Sequence, residues 1–196
     1  MPPAPNPDLR NQRSHRAILD AALELTTRDG YTKVTVEAIA QAAGVGKQTI
    51  YRWWPSKAAV VLEALNDRTG PAGRVPDTGD VAADITVAAQ AVTRMLSMDL
   101  GTVWRGLVAD AQGDPRLAED LRESFFEPRI ARWQERLDTA VQAGQLRTDV
   151  PTRTIVELLF GPIYYRLLLG TDQLDPENTA GRVDYLLNGV GPRAPH

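Results

Sequence analysis

The chain has 196 residues, 43% of them hydrophobic and 24% charged, with a formal charge of −3, two histidines and no cysteine. That apolar share supports a sizeable core, and the missing cysteine excludes disulfides, thiol catalysis and thiolate metal sites, which fits a cytoplasmic setting. With no run of about 18 apolar residues and no basic-then-apolar leader, neither a membrane span nor a signal peptide is expected.

Residues 1–13 are rich in proline and polar residues and read as a disordered N-terminal arm. Arg10, Arg13 and Arg16 could follow a DNA backbone or enter a minor groove; a tail without a role is the plainer reading. Ser14 is the expected cap of a first helix, whose Ile18, Ala21, Ala22 and Leu25 form one stripe and which ends near Asp29-Gly30. The stretch Val34–Lys57 follows as two short amphipathic helices joined by a tight turn. Val36, Ile39, Ala40 and Ala43 recur at the helical period, Thr35 is the N-cap, and Glu37 sits in the first turn. Gly44 marks the reversal, Val45 plugs the corner, and a second helix runs from about Lys47 to Trp53. That is a helix-turn-helix pattern with the second helix as DNA reader.

With Ile50 pointing to the core at zero, Gln48 falls near ~160° and Arg52 near ~200°, with Thr49 and Tyr51 about 100° to either side. Gln can bridge adenine and Arg guanine in a major groove; a merely solvated polar face is the competing reading. Ser56 then caps a further helix whose first turn carries Lys57, a ready phosphate site. Charge is divided unevenly: residues 1–57 hold eight Lys+Arg against five Asp+Glu, and residues 58–196 hold fourteen against twenty. A basic head on an acidic body fits a DNA reader.

The pattern Thr35, Ile39, Ala40, Ala43, Gly44, Val45, Thr49, Ile50, Tyr51, Ser56, Lys57 resembles the N-terminal motif of the TetR/AcrR transcriptional regulators, over about Ser14–Leu65. Two positions depart from it. Gly46 stands where the family has a capping serine, and Trp53-Trp54 replaces a His/Tyr-Phe pair. Trp54 remains an expected core anchor, and the resemblance gives Trp53 a phosphate contact.

A fourth helix, about Ser56–Asp67, faces Ala58, Val61, Leu62 and Leu65 inward, and residues 69–79, rich in glycine and proline, read as a loop. The rest is helical by pattern, without strand or repeat. Asp80–Ser97 carries Ile85, Ala88, Ala89, Val92 and Leu96; Thr102–Gln112 is shorter; a long amphipathic stretch from Pro115 to Ala143 should kink or break at Pro128. Two helices remain, about Thr152–Leu169 and Glu177–Asn188. The first is apolar nearly all round, which implies burial on more than one side. It serves either as a monomer core helix or also as a subunit interface. The segment LLFGPIYYRLLLG resembles the dimerisation helix of one TetR-like subgroup, which implies a four-helix bundle between two copies.

Neither His15 nor His196 has a carboxylate cluster around it, and no phosphate loop or nucleophile elbow appears, so no metal, cofactor or catalytic residue is expected. The rival binding reading is a sequence-independent DNA-architectural protein, which should be basic overall. The family resemblance also implies a small-molecule effector in the body, with Trp104, Phe125, Phe126, Trp133, Tyr164 and Tyr165 as candidate lining; each of them also reads as plain core. The expectation is thus an all-α chain of about nine helices: arm 1–13, helix-turn-helix domain 14–58, ligand-binding and dimerisation domain 59–190, and tail 191–196. Its function would be that of a homodimeric one-component regulator, most simply a repressor, released from double-stranded DNA by a ligand. Gln48, Thr49 and Arg52 would read bases; Thr35, Lys47, Tyr51, Trp53 and Lys57 would hold phosphates.

Overall fold

The computed structural model describes residues 7–70 and 75–189. The start of the predicted arm (1–6), the middle of the predicted loop (71–74) and the end (190–196), which contains the predicted tail, lie outside the described residues. The described residues are all-helical, with no strand among them. In chain order the helices are α1 (Pro7–Asp29), α2 (Val36–Ala42), α3 (Lys47–Trp53), α4 (Lys57–Thr69), α5 (Val81–Ser97), α6 (Asp99–Gly113), α7 (Pro115–Asp120), α8 (Glu127–Gln142), α9 (Thr152–Leu169) and α10 (Glu177–Asn188). A 3-10 turn, Tyr31–Lys33, precedes α2, and a π-helical turn, Leu121–Phe126, joins α7 to α8.

One sequence expectation needs correction. The first helix starts at Pro7, not Ser14, so residues 7–13 of the predicted arm are helical; proline is preorganised for a first helical turn, and Ser14 lies mid-helix. The long stretch is interrupted next to Pro128, by the π-helical turn just before it, and Pro128 itself sits in the first turn of α8. The chain divides into two compact units, one holding everything up to Thr69 together with Thr102–Leu121, the other the stretch to Gly101 and that from Arg122 onward. In the first unit Val60, Val61, Leu65, Trp104 and Leu107 are all 0% exposed.

Within the first unit α1 packs on α4 and α2, and α2 on α3. Tyr31 crosses to α6, where its hydroxyl donates to Asp110 Oδ2 at 2.7 Å. In the second unit α5 packs on α9 and α10, and α8 on α9. Its core joins Ile85, Ala89, Trp133, Leu137, Ile155, Val156 and Val183. That unit also buries an ion pair. Arg136 Nη2 donates to Asp84 Oδ2 at 2.6 Å, with the two side chains 6% and 1% exposed. Thr78 donates to the same carboxylate from Oγ1 at 2.7 Å and from its backbone N–H. Burial pushes the Asp84 carboxyl up, and the bonds from Thr78 and Arg136 more than reverse this, leaving it below the usual carboxylate range.

Candidate nucleic-acid interface

The helix-turn-helix is built as its residues demand. Thr35, in extended backbone, accepts the Ala38 N–H on Oγ1 at 3.1 Å and so caps α2. At the other end Gly44 takes φ 66, a left-handed value that a side chain would strain, and the Val45 N–H returns to the Ala40 carbonyl at 3.0 Å. Gly46 caps α3 through its backbone alone: the Thr49 N–H reaches its carbonyl at 2.8 Å, and no side chain takes part. Ser56 Oγ accepts the Ala59 N–H at 3.2 Å, opening α4.

On α3, Ile50 is fully buried while Lys47, Gln48, Tyr51 and Arg52 are exposed and Thr49 is half-buried. The outward face thus carries the expected polar residues. Lys47 forms an ion pair with Glu37 of α2 and lies 5.6 Å from the Tyr51 ring centre. That bond holds Glu37 below and Lys47 above their ordinary ranges. Both side chains stay open to water, so a phosphate can compete for the ammonium.

Trp54 is 4% exposed, and its Nε1 donates to Glu63 Oε2 at 2.6 Å, the expected anchor. Trp53 is half-buried and stands edge-on to Trp54 at 5.4 Å, with the His15 imidazole 5.4 Å away on its flank. Lys57, predicted at a phosphate, is half-buried: its Nζ donates to the Tyr31 carbonyl at 2.9 Å and lies 4.0 Å over the Tyr31 ring. Burial pushes its ammonium below the usual lysine range, and the Asp110 charge pulls back. An ammonium has three protons, so one bond to Tyr31 leaves others to offer.

Two family models match the chain in succession. A model described as bacterial regulatory proteins, tetR family, matches residues 18–64, and one described as tetracyclin repressor-like, C-terminal domain, matches residues 75–186. The chain belongs to the TetR family. It is 37% identical to the uncharacterized HTH-type transcriptional regulator YdeS of Bacillus subtilis (strain 168), covering 92% of this chain and 91% of that protein. It is 27% identical to the DNA-binding transcriptional repressor TetR of Mycobacteroides abscessus, over 82% and 85% of the two chains. Among solved structures, the TetR family transcription regulator SCO0332 is 35% identical with a TM-score of 0.80, over 91% of this chain and 99% of that one. This TetR-family chain is therefore a helix-turn-helix, DNA-binding transcriptional regulator. No described helix is long and apolar enough to cross a membrane.

The six candidate ligand-lining aromatics are not equivalent. Trp104 is 0% exposed and belongs to the first unit; the other five belong to the second. Trp133 is 6% exposed and packs edge-on to Phe160 at 5.3 Å in the core. Tyr165 is 56% exposed. Phe125, Phe126 and Tyr164 do come together, edge-to-face at 5.5 and 5.7 Å, with the Arg129 guanidinium 3.4 Å over Phe125. Burial lowers Arg129 to about 10 and raises Tyr164 to about 12.

Sequence reasoning missed Tyr31, Asp110 and His15. Gly106 offered a partial signal: a lone glycine inside a helical pattern costs helix propensity and points to a packing reason, and in the structure Tyr31 lies against it.

Proposed function

We propose that the chain is a homodimeric, one-component repressor that reads a palindromic operator with α3 and is released by a small molecule bound in its C-terminal unit. The observation that carries the DNA-reading part is the exposure of Gln48 and Arg52 opposite the buried Ile50. In this reading Gln48, Thr49 and Arg52 meet base edges, while Thr35, Lys47, Tyr51 and Lys57 hold phosphates on either side. The dimer rests on α9 and α10. Leu158, Tyr165, Leu168 and Leu169 stand exposed along α9, Tyr185 is 61% exposed on α10, and a cleft of about 440 Å³ runs between Leu158, Pro162, Arg182 and Tyr185. So much aromatic and aliphatic surface on two neighbouring helices suits a second copy. Phe125, Phe126 and Tyr164 are proposed to meet the effector; Trp104 and Trp133 serve as core, and Tyr165 as interface. A ligand that weakens operator binding ~100-fold must itself bind the DNA-bound form ~100-fold less well, about 2.7 kcal/mol of coupling. The place of action is the cytoplasm, and the role is binding rather than catalysis.

The test is selection of bound fragments from the protein's own genome, followed by anisotropy titrations at ~150 mM salt. The selected duplex should bind at least ~10³-fold more tightly than random duplex. Its footprint should show two half-sites one helical turn, ~34–36 Å, or a multiple of it apart. Equal affinity for both duplexes would overturn the reading in favour of sequence-independent binding.

A further inference from the structure

The C-terminal end of the reading helix carries a cluster that its operator-reading role does not by itself require. Arg52, in the last turn of α3, holds its guanidinium 5.3 Å over the Trp53 ring. Trp53 is fixed in turn, edge-on to Trp54 at 5.4 Å (86°) and flanked by the His15 imidazole at 5.4 Å (56°). His15 also lies on Trp54 at 4.9 Å (35°). Glu63 of α4 closes the cluster from below: Oε1 is 2.9 Å from His15 Nε2, and Oε2 accepts the Trp54 Nε1–H at 2.6 Å. Three helices thus combine to hold one indole still.

We propose that His15 is a positioning residue for Arg52, acting through Trp53, whose indole is a shelf for the guanidinium rather than a contact to phosphate. The physical argument is preorganisation. A free arginine side chain carries about 2 kcal/mol of rotamer entropy, much of which is lost when its fork is fixed on a base. A tryptophan face is the strongest aromatic partner for a cation, so a guanidinium already resting on it loses less on docking. The shelf works only if the indole itself does not swing, and the His15 ring packs against it at 5.4 Å. The inference rests on the reading that Arg52 meets a base.

The experiment uses the full chain, the selected operator duplex and all its single base-pair variants, with Arg52→Ala, Trp53→Leu, His15→Gln and the His15→Gln/Arg52→Ala double variant. Arg52→Ala should flatten the preference at one position of each half-site. Trp53→Leu and His15→Gln should reduce the preference at that same position about two- to fivefold, the worth of an exposed cation–π contact. They should leave the other positions within about twofold, and the double variant should match Arg52→Ala. Circular dichroism checks folding, and Trp53→Leu carries the comparison if His15→Gln is poorly folded. Uniform weakening at every position would make the cluster mere packing and overturn the assignment. So would a position flattened by Arg52→Ala but untouched by Trp53→Leu and His15→Gln, with the operator reading left standing. If Arg52→Ala alters no base preference, Arg52 reads nothing and the positioning role falls with it.

Discussion

Gly106→Ala in α6 sets two effects of opposite sign against each other. In an open helix the exchange gains about 1 kcal/mol of propensity. Here the new methyl would lie 2.5 Å from Tyr31 Cβ and 2.7 Å from its Cγ and Cδ1. Ordinary carbon contacts begin near 3.5 Å, so Tyr31 must retreat by about 1 Å. It has little room: the residue is 2% exposed, its hydroxyl is held by Asp110 at 2.7 Å, and its carbonyl accepts Lys57 at 2.9 Å. Overpacking costs about 1–3 kcal/mol, and a strained bond to a carboxylate adds about 1.5–3 kcal/mol. The balance is a loss of roughly 1.5–5 kcal/mol, or about 3–20 °C in Tm for a chain of this size. Thermal melts followed by circular dichroism should show that drop, with weaker operator binding because Lys57 moves with Tyr31. Gly113→Ala, on the same helix with nothing within 4 Å of the added methyl, is the control and should be neutral or slightly stabilising. A Gly106→Ala protein at least as stable as the parent would refute the packing argument.

Three other predictions concern the second unit. Arg136→Met leaves Asp84 buried without its counter-charge and should cost about 3–5 kcal/mol in urea unfolding at pH 7. Because the folded Asp84 carboxyl is held below its unfolded value, its contribution is present above about pH 4 and fades as pH falls through the folded value. The stability gap between the parent and Asp84→Asn should therefore shrink below about pH 4; a gap constant down to acid would contradict the pairing. Tyr165→Asp acts on a side chain 56% exposed in the single chain, so subunit stability should change by less than about 0.5 kcal/mol. Sedimentation velocity should nevertheless show monomer at micromolar concentration, and an undisturbed dimer would move the interface elsewhere.

Local periodicity and caps made most of the helices legible. The spans Thr152–Leu169 and Glu177–Asn188 agree with the sequence reading residue for residue, and the Thr35 and Ser56 caps are where hydroxyls precede apolar stripes. The α3 face was legible because a single buried Ile50 sets the phase of the whole helix. What stayed hidden depends on contacts between distant residues. Asp84 and Arg136 are 52 apart in sequence and Tyr31 and Asp110 are 79 apart, and neither pair leaves a trace in local pattern. The membership of α6 in the first unit was hidden for the same reason. Composition at 1–13 suggested disorder, but it does not reveal that Pro7 can open a helix continuous with Ile18 and Leu25.

The central claim is that the side of α3 opposite Ile50 confers sequence preference. Its most direct test is the affinity ratio of operator to random duplex, at ~150 mM salt, for the parent and for Gln48→Ala/Arg52→Ala. Two lost base contacts, at about 1–3 kcal/mol each, should lower that ratio by roughly 30-fold or more. Random-duplex binding should weaken far less, because Lys47, Tyr51 and Lys57 remain. A ratio unchanged by the double substitution would contradict the account.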